Sequence, residues 1–200
     1  MTTATAAARP GTVLADLLPA STDVRARLRD VALVAGGAAL TGLAAQLSVH
    51  IPGSPVPVTG QTFAALLVGT ALGARRGMLS LLLYAVAGVA GVPWFAGGAS
   101  GAAGVSFGYV LGMVLASAAV GALARRGADR SVARTAGVMV LGEAIIYAVG
   151  VPYLAVAAHL SVNQAIAEGL TPFLLGDAVK AALAMGALPA AWKLLERRGR

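Results

Sequence analysis

The amino-acid sequence predicts an all-α integral membrane protein of six transmembrane helices, and three observations lead there. The first is composition: 58% of residues are hydrophobic, only 12% are charged, and the mean hydropathy is +0.82. A soluble domain carries about 25% charged residues. The second is where the cations fall. Fourteen of the fifteen Lys and Arg residues cluster, as Arg9, Arg25, Arg27 and Arg29, then Arg75 and Arg76, then Arg125, Arg126, Arg130 and Arg134, and last Lys193, Arg197, Arg198 and Arg200. The third is the spacing of those clusters. Residues 30–74, 77–124 and 135–179 hold no cation, runs of 45, 48 and 45 residues. One helical crossing takes about 20 residues, so each run fits two crossings and an outer connection. Cationic loops stay cytoplasmic, which puts both termini inside and predicts a multi-pass protein of the cell membrane.

The elements follow in order. Residues 1–27 are small, polar and broken by proline, with no apolar signal-peptide region. They are expected as a cytoplasmic N-terminal tail, mostly disordered, ahead of a six-helix membrane domain at 28–200. Helix 1 is expected at about Leu28–Val49. The segment HIPGSPVPVTG (50–60) has three prolines and is no ordinary helix. Its Ile51, Val56 and Val58 suit a re-entrant loop, tolerated where it is buried in protein or lines a cavity. Helix 2 is expected at about Gln61–Gly73, helix 3 at Met78–Val92, helix 4 at Ser106–Leu123, helix 5 at Thr135–Ala158 and helix 6 at Pro172–Leu195. A glycine-rich outer loop joins helices 3 and 4.

Several function classes fall away at this level. Net charge is +7 and pI about 10.8, but the basic residues flank apolar segments, as orientation signals and partners of anionic lipid do; membrane lipid is expected and nucleic acid is not. Absence of cysteine removes disulfides, thiolate chemistry and Cys metal sites. His50 and His159 are too few and too far apart for a metal cluster. The glycine-rich loop lacks the Lys-Ser/Thr of a phosphate-binding loop and a preceding strand. No enzyme is expected, because no nucleophile–base set is apparent, and no cofactor or metal is expected either.

Only three ionisable groups lie well inside the predicted spans: Glu143, Asp177 and Lys180. Each costs roughly 2.5–3.5 kcal/mol on insertion scales and so invites a reason. Asp177 and Lys180 are three apart on one helix face. They form either a self-neutralising ion pair or a site that offers an acceptor and a cation together. Glu143, with Tyr147 one turn further out, is either a packing carboxyl or part of that site. Trp94, Phe95, Phe107 and Tyr109 could stack on an apolar ring, although interfacial aromatics are more often anchors, and Trp94 is read as one. Ala32, Ala35, Gly36, Ala39 and Gly42 give helix 1 a small-residue stripe, suited to internal packing or to docking another membrane protein.

With these residues in view, the chain resembles BioY, the biotin-binding S component of energy-coupling factor (ECF) transporters. The resemblance spans about residues 30–195 and rests on SPVPVTGQTF (54–63), LGARRG (72–77), GVPWFAGG (91–98), GVSFGYVLG (104–112) and PFLLGDAVKA (172–181). It implies a bacterial or archaeal cell membrane and the ECF S-component fold, with a re-entrant helix 1–2 loop and a helix 3–4 lid closing a biotin pocket near the outer face. The family's Asp and Lys fall on Asp177 and Lys180, its loop Gln on Gln61 and its Tyr on Tyr109. Val105 stands where the family has Pro, and Ala99 followed by Ser100 where some members have Asn after Gly97 and Gly98.

The expected function is therefore biotin transport. Expected substrate-binding residues are Gln61, Gly97, Gly98, Ser100, Tyr109, Glu143, Tyr147, Asp177 and Lys180. The resemblance implies a T component and paired ATP-binding subunits as partners, and the stripe Ala32, Ala35, Gly36 and Ala39 is where their contact is placed. Two other readings stand beside this one: an S component for another vitamin, and a proton-coupled secondary transporter using Glu143 and Asp177.

Overall fold

The structure is a computed structural model that describes residues 11–198. Its α-helices are α1 (Asp23–Ala45), α2 (Gln61–Leu72), α3 (Ala74–Val89), α4 (Phe107–Arg125), α5 (Val132–Ala157), α6 (Val162–Gly169) and α7 (Leu174–Arg198). Two short strands, β1 (Ser48–Val49) and β2 (Val58–Thr59), pair antiparallel with Ser48 opposite Thr59. By length and composition, Asp23–Ala45, Phe107–Arg125, Val132–Ala157 and the segment Val162–Leu195 can each cross a membrane. The apolar α2 has 12 residues and α3 has 16.

Chain chemistry accounts for the boundaries. Thr22 caps α1 by accepting the amide of Arg25 at 3.3 Å. Ser131 caps α5 by accepting the amide of Arg134 at 3.4 Å. Ser161 and Gln164 form a reciprocal capping box that starts α6, which satisfies two otherwise orphaned N–H groups. The box sets α6 off from the end of α5, in a stretch where the sequence predicts only a connection. Gly73 turns α2 straight into α3 at φ +82°, a conformation an L side chain rarely adopts. α3 consequently begins at Ala74 and includes Arg75 and Arg76, four residues before its expected start at Met78.

α4 is the central post and packs on α2, α3 and α5. Glycines allow the close approach: a Cβ on Gly69 would stand 2.6 Å from the Ser117 carbonyl oxygen, and one on Gly112 2.8 Å from the Ile146 Cα. Met113, Ala116 and Val120 on this post are almost fully buried, as are Leu66 on α2, Leu81 on α3 and Ile146 on α5. The outward rows of Leu, Val and Ala are exposed, the arrangement expected of a bundle whose solvent is hydrocarbon.

The arginine-rich end of the bundle is closed by the segment before α1. Val13 is fully buried, Asp16 pairs with Arg76 at 2.7 Å and Arg125 at 3.4 Å, and Gly11 exchanges backbone and guanidinium hydrogen bonds with Arg125. From residue 11 on, this segment is packed and α1 begins at Asp23, where the sequence predicts a mostly disordered tail to residue 27; residues 1–10 lie outside the described residues. Burial of Val13 and the double pairing of Asp16 are the physical reasons. At the same end, Trp192 of α7 donates its indole N–H to Asp129 at 2.7 Å, and the Arg130 guanidinium lies 4.4 Å from the centre of the indole ring.

Candidate functional site

At the opposite, loop-rich end, four helices and two loops surround a cavity. Its position follows from three local features. The proline-rich segment cannot continue α1, so it folds back through the β1–β2 ladder and delivers Val56, Pro57 and Thr59 to the wall. The first turn of α2 then adds Gln61 and Thr62. Across the cavity, α7 starts after Pro172 and carries Asp177 in its first turn, where the helix dipole favours a carboxylate.

The polar floor is one connected network. Lys180 donates to Asp177 Oδ1 at 2.9 Å and to Thr62 Oγ1 at 3.0 Å. Tyr147 of α5 donates its hydroxyl to the other carboxylate oxygen, Asp177 Oδ2. α2, α5 and α7 are thus tied at one point. An ammonium has three donors, and two are engaged here, which leaves one N–H for a ligand oxygen. Asp177 retains lone pairs for a further N–H. Gln61 is 5% exposed and lines the cavity, and its side-chain amide makes no hydrogen bond to the described residues.

The remaining wall is apolar and aromatic. Phe95 and Ala96 come from the α3–α4 loop, Phe107, Tyr109, Val110 and Met113 from α4, and Phe173 from the turn before α7. Phe95 meets Phe107 at 6.1 Å between centroids, and Tyr109 meets Tyr147 edge-on at 6.3 Å. Tyr109 is also held from behind, because its hydroxyl donates to the Gly169 carbonyl at 2.7 Å. Such a cavity suits a small ligand with an apolar ring and a few polar groups at fixed positions.

Of the residues expected from the sequence, Gln61, Ser100, Tyr109, Tyr147, Asp177 and Lys180 meet at this cavity. Gly97 and Gly98 sit in the adjoining loop turn at φ +68° and +75° and do not line it. Glu143 lies one turn from Tyr147 on the far side of the Tyr147–Asp177 pair. There it borders a separate apolar crevice between α5, α6 and α7, and its buried Oε2 has no partner among the described residues. Trp94 is an internal bracket: its indole N–H donates to the Tyr84 carbonyl at 3.0 Å, and its ring stacks at 5.2 Å on Tyr84. Thr62, the Lys180 partner, was not among the expected residues, although it is adjacent to Gln61 in the same block.

The BioY family model matches residues 18–197. A probable biotin transporter BioY of Pyrococcus horikoshii is 38% identical over 162 residues, covering 80% of this chain and 93% of that protein. The chain belongs to the BioY family.

Two further BioY-family relatives are the biotin transporter BioY2 of Lactococcus lactis subsp. cremoris and the biotin transporter BioY of Thermotoga maritima. The first is 34% identical over 160 residues, covering 78% of this chain and 86% of that protein. The second is 36% identical over 139 residues, covering 68% and 80%. A crystal structure of the S-component for biotin from an ECF-type ABC transporter superposes with a TM-score of 0.75 at 22% identity, covering 88% of this chain and 94% of that one. The fold is therefore that of an ECF S component. Four of the five BioY-like blocks border the cavity; LGARRG alone lies at the other end, in the α2–α3 turn.

Proposed function

We propose that this BioY-family chain is the S component of a biotin transporter and that the cavity between α2, α4, α5 and α7 holds biotin. The observation that carries the reading is the Tyr147–Asp177–Lys180–Thr62 network set beside an aromatic wall. Biotin has a ureido head with two N–H donors and a carbonyl, a thioether ring and a valerate carboxylate. Asp177 accepts a ureido N–H, the third Lys180 donor meets a ligand oxygen, and Gln61 supplies a further amide contact. Phe95, Phe107, Tyr109 and Phe173 cover the ring system. Ser100 adds a hydroxyl from the α3–α4 loop. Water exclusion strengthens each polar contact.

In this reading the arginine-rich end is cytoplasmic, by the positive-inside rule, and the cavity opens at the outer face, with both termini inside. The 50–60 segment is the re-entrant loop, and the α3–α4 loop is the lid. Glu143 supports the site from behind Asp177, and Gly97 and Gly98 let the lid turn tightly. Energy comes from a T component and ATP-binding subunits. Support for a docking face comes from the two sides of α1. Gly37, Ala38, Thr41, Gly42 and Ala45 are buried inside the bundle, while Ala32, Ala35, Gly36 and Ala39 are exposed and Gly36 faces open space.

The test is equilibrium binding of radiolabelled biotin to the purified chain in detergent, chased with unlabelled biotin, biotin amide, thiamine or riboflavin. Biotin displaces the label fully, biotin amide only weakly because it has lost the carboxylate, and the other vitamins not at all. Full displacement by a different vitamin contradicts the assignment to biotin.

A further inference from the structure

Both loops that border the cavity are held by the last turn of one helix, α1. The proline-rich segment is fixed by the β1–β2 ladder and by the Gly60 amide, which donates to the Leu47 carbonyl at 2.9 Å, immediately after α1 ends. The α3–α4 loop is fixed by Gln46, the residue that caps α1. Its Nε2 lies 3.0 Å from the Trp94 carbonyl, 3.2 Å from the Phe95 carbonyl and 3.0 Å from the Gly42 carbonyl. Three carbonyl oxygens around one atom define the amide orientation, since Oε1 in that place would face only lone pairs. One turn earlier, Gly42 leaves room for the Trp94 ring: an added Cβ would stand 3.0 Å from it.

The grip is on the part of the loop that reaches the ligand. Phe95 is buried against Tyr84 and Phe107 and lines the cavity with Ala96, Ala99 and Ser100. The loop beyond is held by its own short bonds, from the Phe95 amide to Ala99 and the Gly98 amide to Phe95, and by one bond to α3, from the Gly101 amide to Gly88. Gln46 therefore ties the near end of this loop to a helix 48 residues away in sequence, beside Tyr84 of α3, whose hydroxyl donates to the same Trp94 carbonyl at 3.3 Å.

We propose that the α1 C-terminal turn is the clamp of the α3–α4 loop and that Gln46 is a positioning residue for the ligand. It touches no ligand and acts by holding the Trp94 and Phe95 carbonyls, and through them the Phe95 ring, at the cavity wall. The ligand arm of this inference rests on the biotin reading.

The test compares wild type with Gln46→Met, which preserves side-chain length and removes both N–H donors. Hydrogen exchange of the whole chain in nanodiscs reads the clamp without any ligand. Amides of residues 95–101 lose protection by about threefold to tenfold, the equivalent of one net hydrogen bond, while α4 and α5 keep theirs. Stopped-flow biotin binding then reads positioning: dissociation accelerates by about the same factor, and association stays within about twofold. Unchanged exchange at 95–101 overturns the clamp; opened loop amides with a wild-type dissociation rate overturn the positioning role. Should the wild type bind no biotin, the biotin reading fails and the exchange arm still decides the clamp. Gln46→Asn, which shortens the reach by one methylene, provides the same comparison if Gln46→Met does not fold.

Discussion

Lys180 donates to Thr62 at 3.0 Å across the gap between α7 and α2, while it holds Asp177 on its own helix at 2.9 Å. The intrahelical ion pair expected from sequence spacing is therefore only half of the arrangement. A self-neutralising pair would need no third partner. Thr62 gives the ammonium a second partner on the facing helix, at the cavity wall.

Thr62→Val removes the hydroxyl with little change in shape. One hydrogen bond to a charged group is lost, worth about 1.5–3 kcal/mol at most, and the released ammonium settles against Asp177. Biotin affinity is expected to fall by about tenfold, with the melting temperature little changed. Equilibrium binding beside a thermal melt checks this, and unchanged affinity would place Thr62 outside the site.

Two glycine substitutions separate packing from docking. In Gly112→Ala the new Cβ would stand 2.8 Å from the Ile146 backbone, which cannot swing away as a side chain can. The α4–α5 contact is expected to lose about 1–3 kcal/mol, as overpacked cores do. A Cβ on Gly36 would meet nothing within 4 Å, so in Gly36→Leu fold and biotin binding are expected to stay at wild-type levels while co-purification with T and ATP-binding subunits is lost. Thermal melts and affinity pull-downs read the two effects.

Asp129, in the loop between α4 and α5, gives a pH dependence. Burial pushes its carboxyl above the ordinary 3.8, against the lowering effects of the Trp192 indole N–H, its own backbone and the Arg130 guanidinium. With the folded value above the unfolded one, the native state binds more protons, so this contribution is fullest at low pH. It is lost as pH rises from about 3.8 through the raised value. The stability of wild type minus that of Asp129→Asn is therefore expected to fall with rising pH over that window and then level off. Melts from acid to neutral pH check it, and a difference that grows with pH would contradict it.

These relationships also mark what the amino-acid sequence could disclose. Cation clusters and apolar runs located the helices, because positive charge is excluded from the bilayer wherever it lacks a partner. Asp177 and Lys180 were legible for the same reason, as costly charges at helical spacing. Thr62 was not, since an ordinary threonine 118 residues from its partner leaves no periodic trace. Asp16 was hidden likewise: its arginines lie 60 and 109 residues away, so a short segment with few apolar residues looked like free tail. The start of α6 could have been found, because Ser161-x-x-Gln164 is a capping-box pattern. Glu143 stood out as an intramembrane charge, but spacing alone could not tell that Tyr147 and Asp177 screen it from the cavity.

The most direct test of the central claim is isothermal titration of biotin into the purified chain, run beside Asp177→Asn and Lys180→Ala. Tight one-to-one binding is expected for the wild type. Each variant should bind about tenfold to a hundredfold more weakly, the loss of one charge-assisted contact, while remaining folded by thermal melt. A folded wild-type chain that takes up no biotin, or variants that bind as tightly as the wild type, would contradict the account.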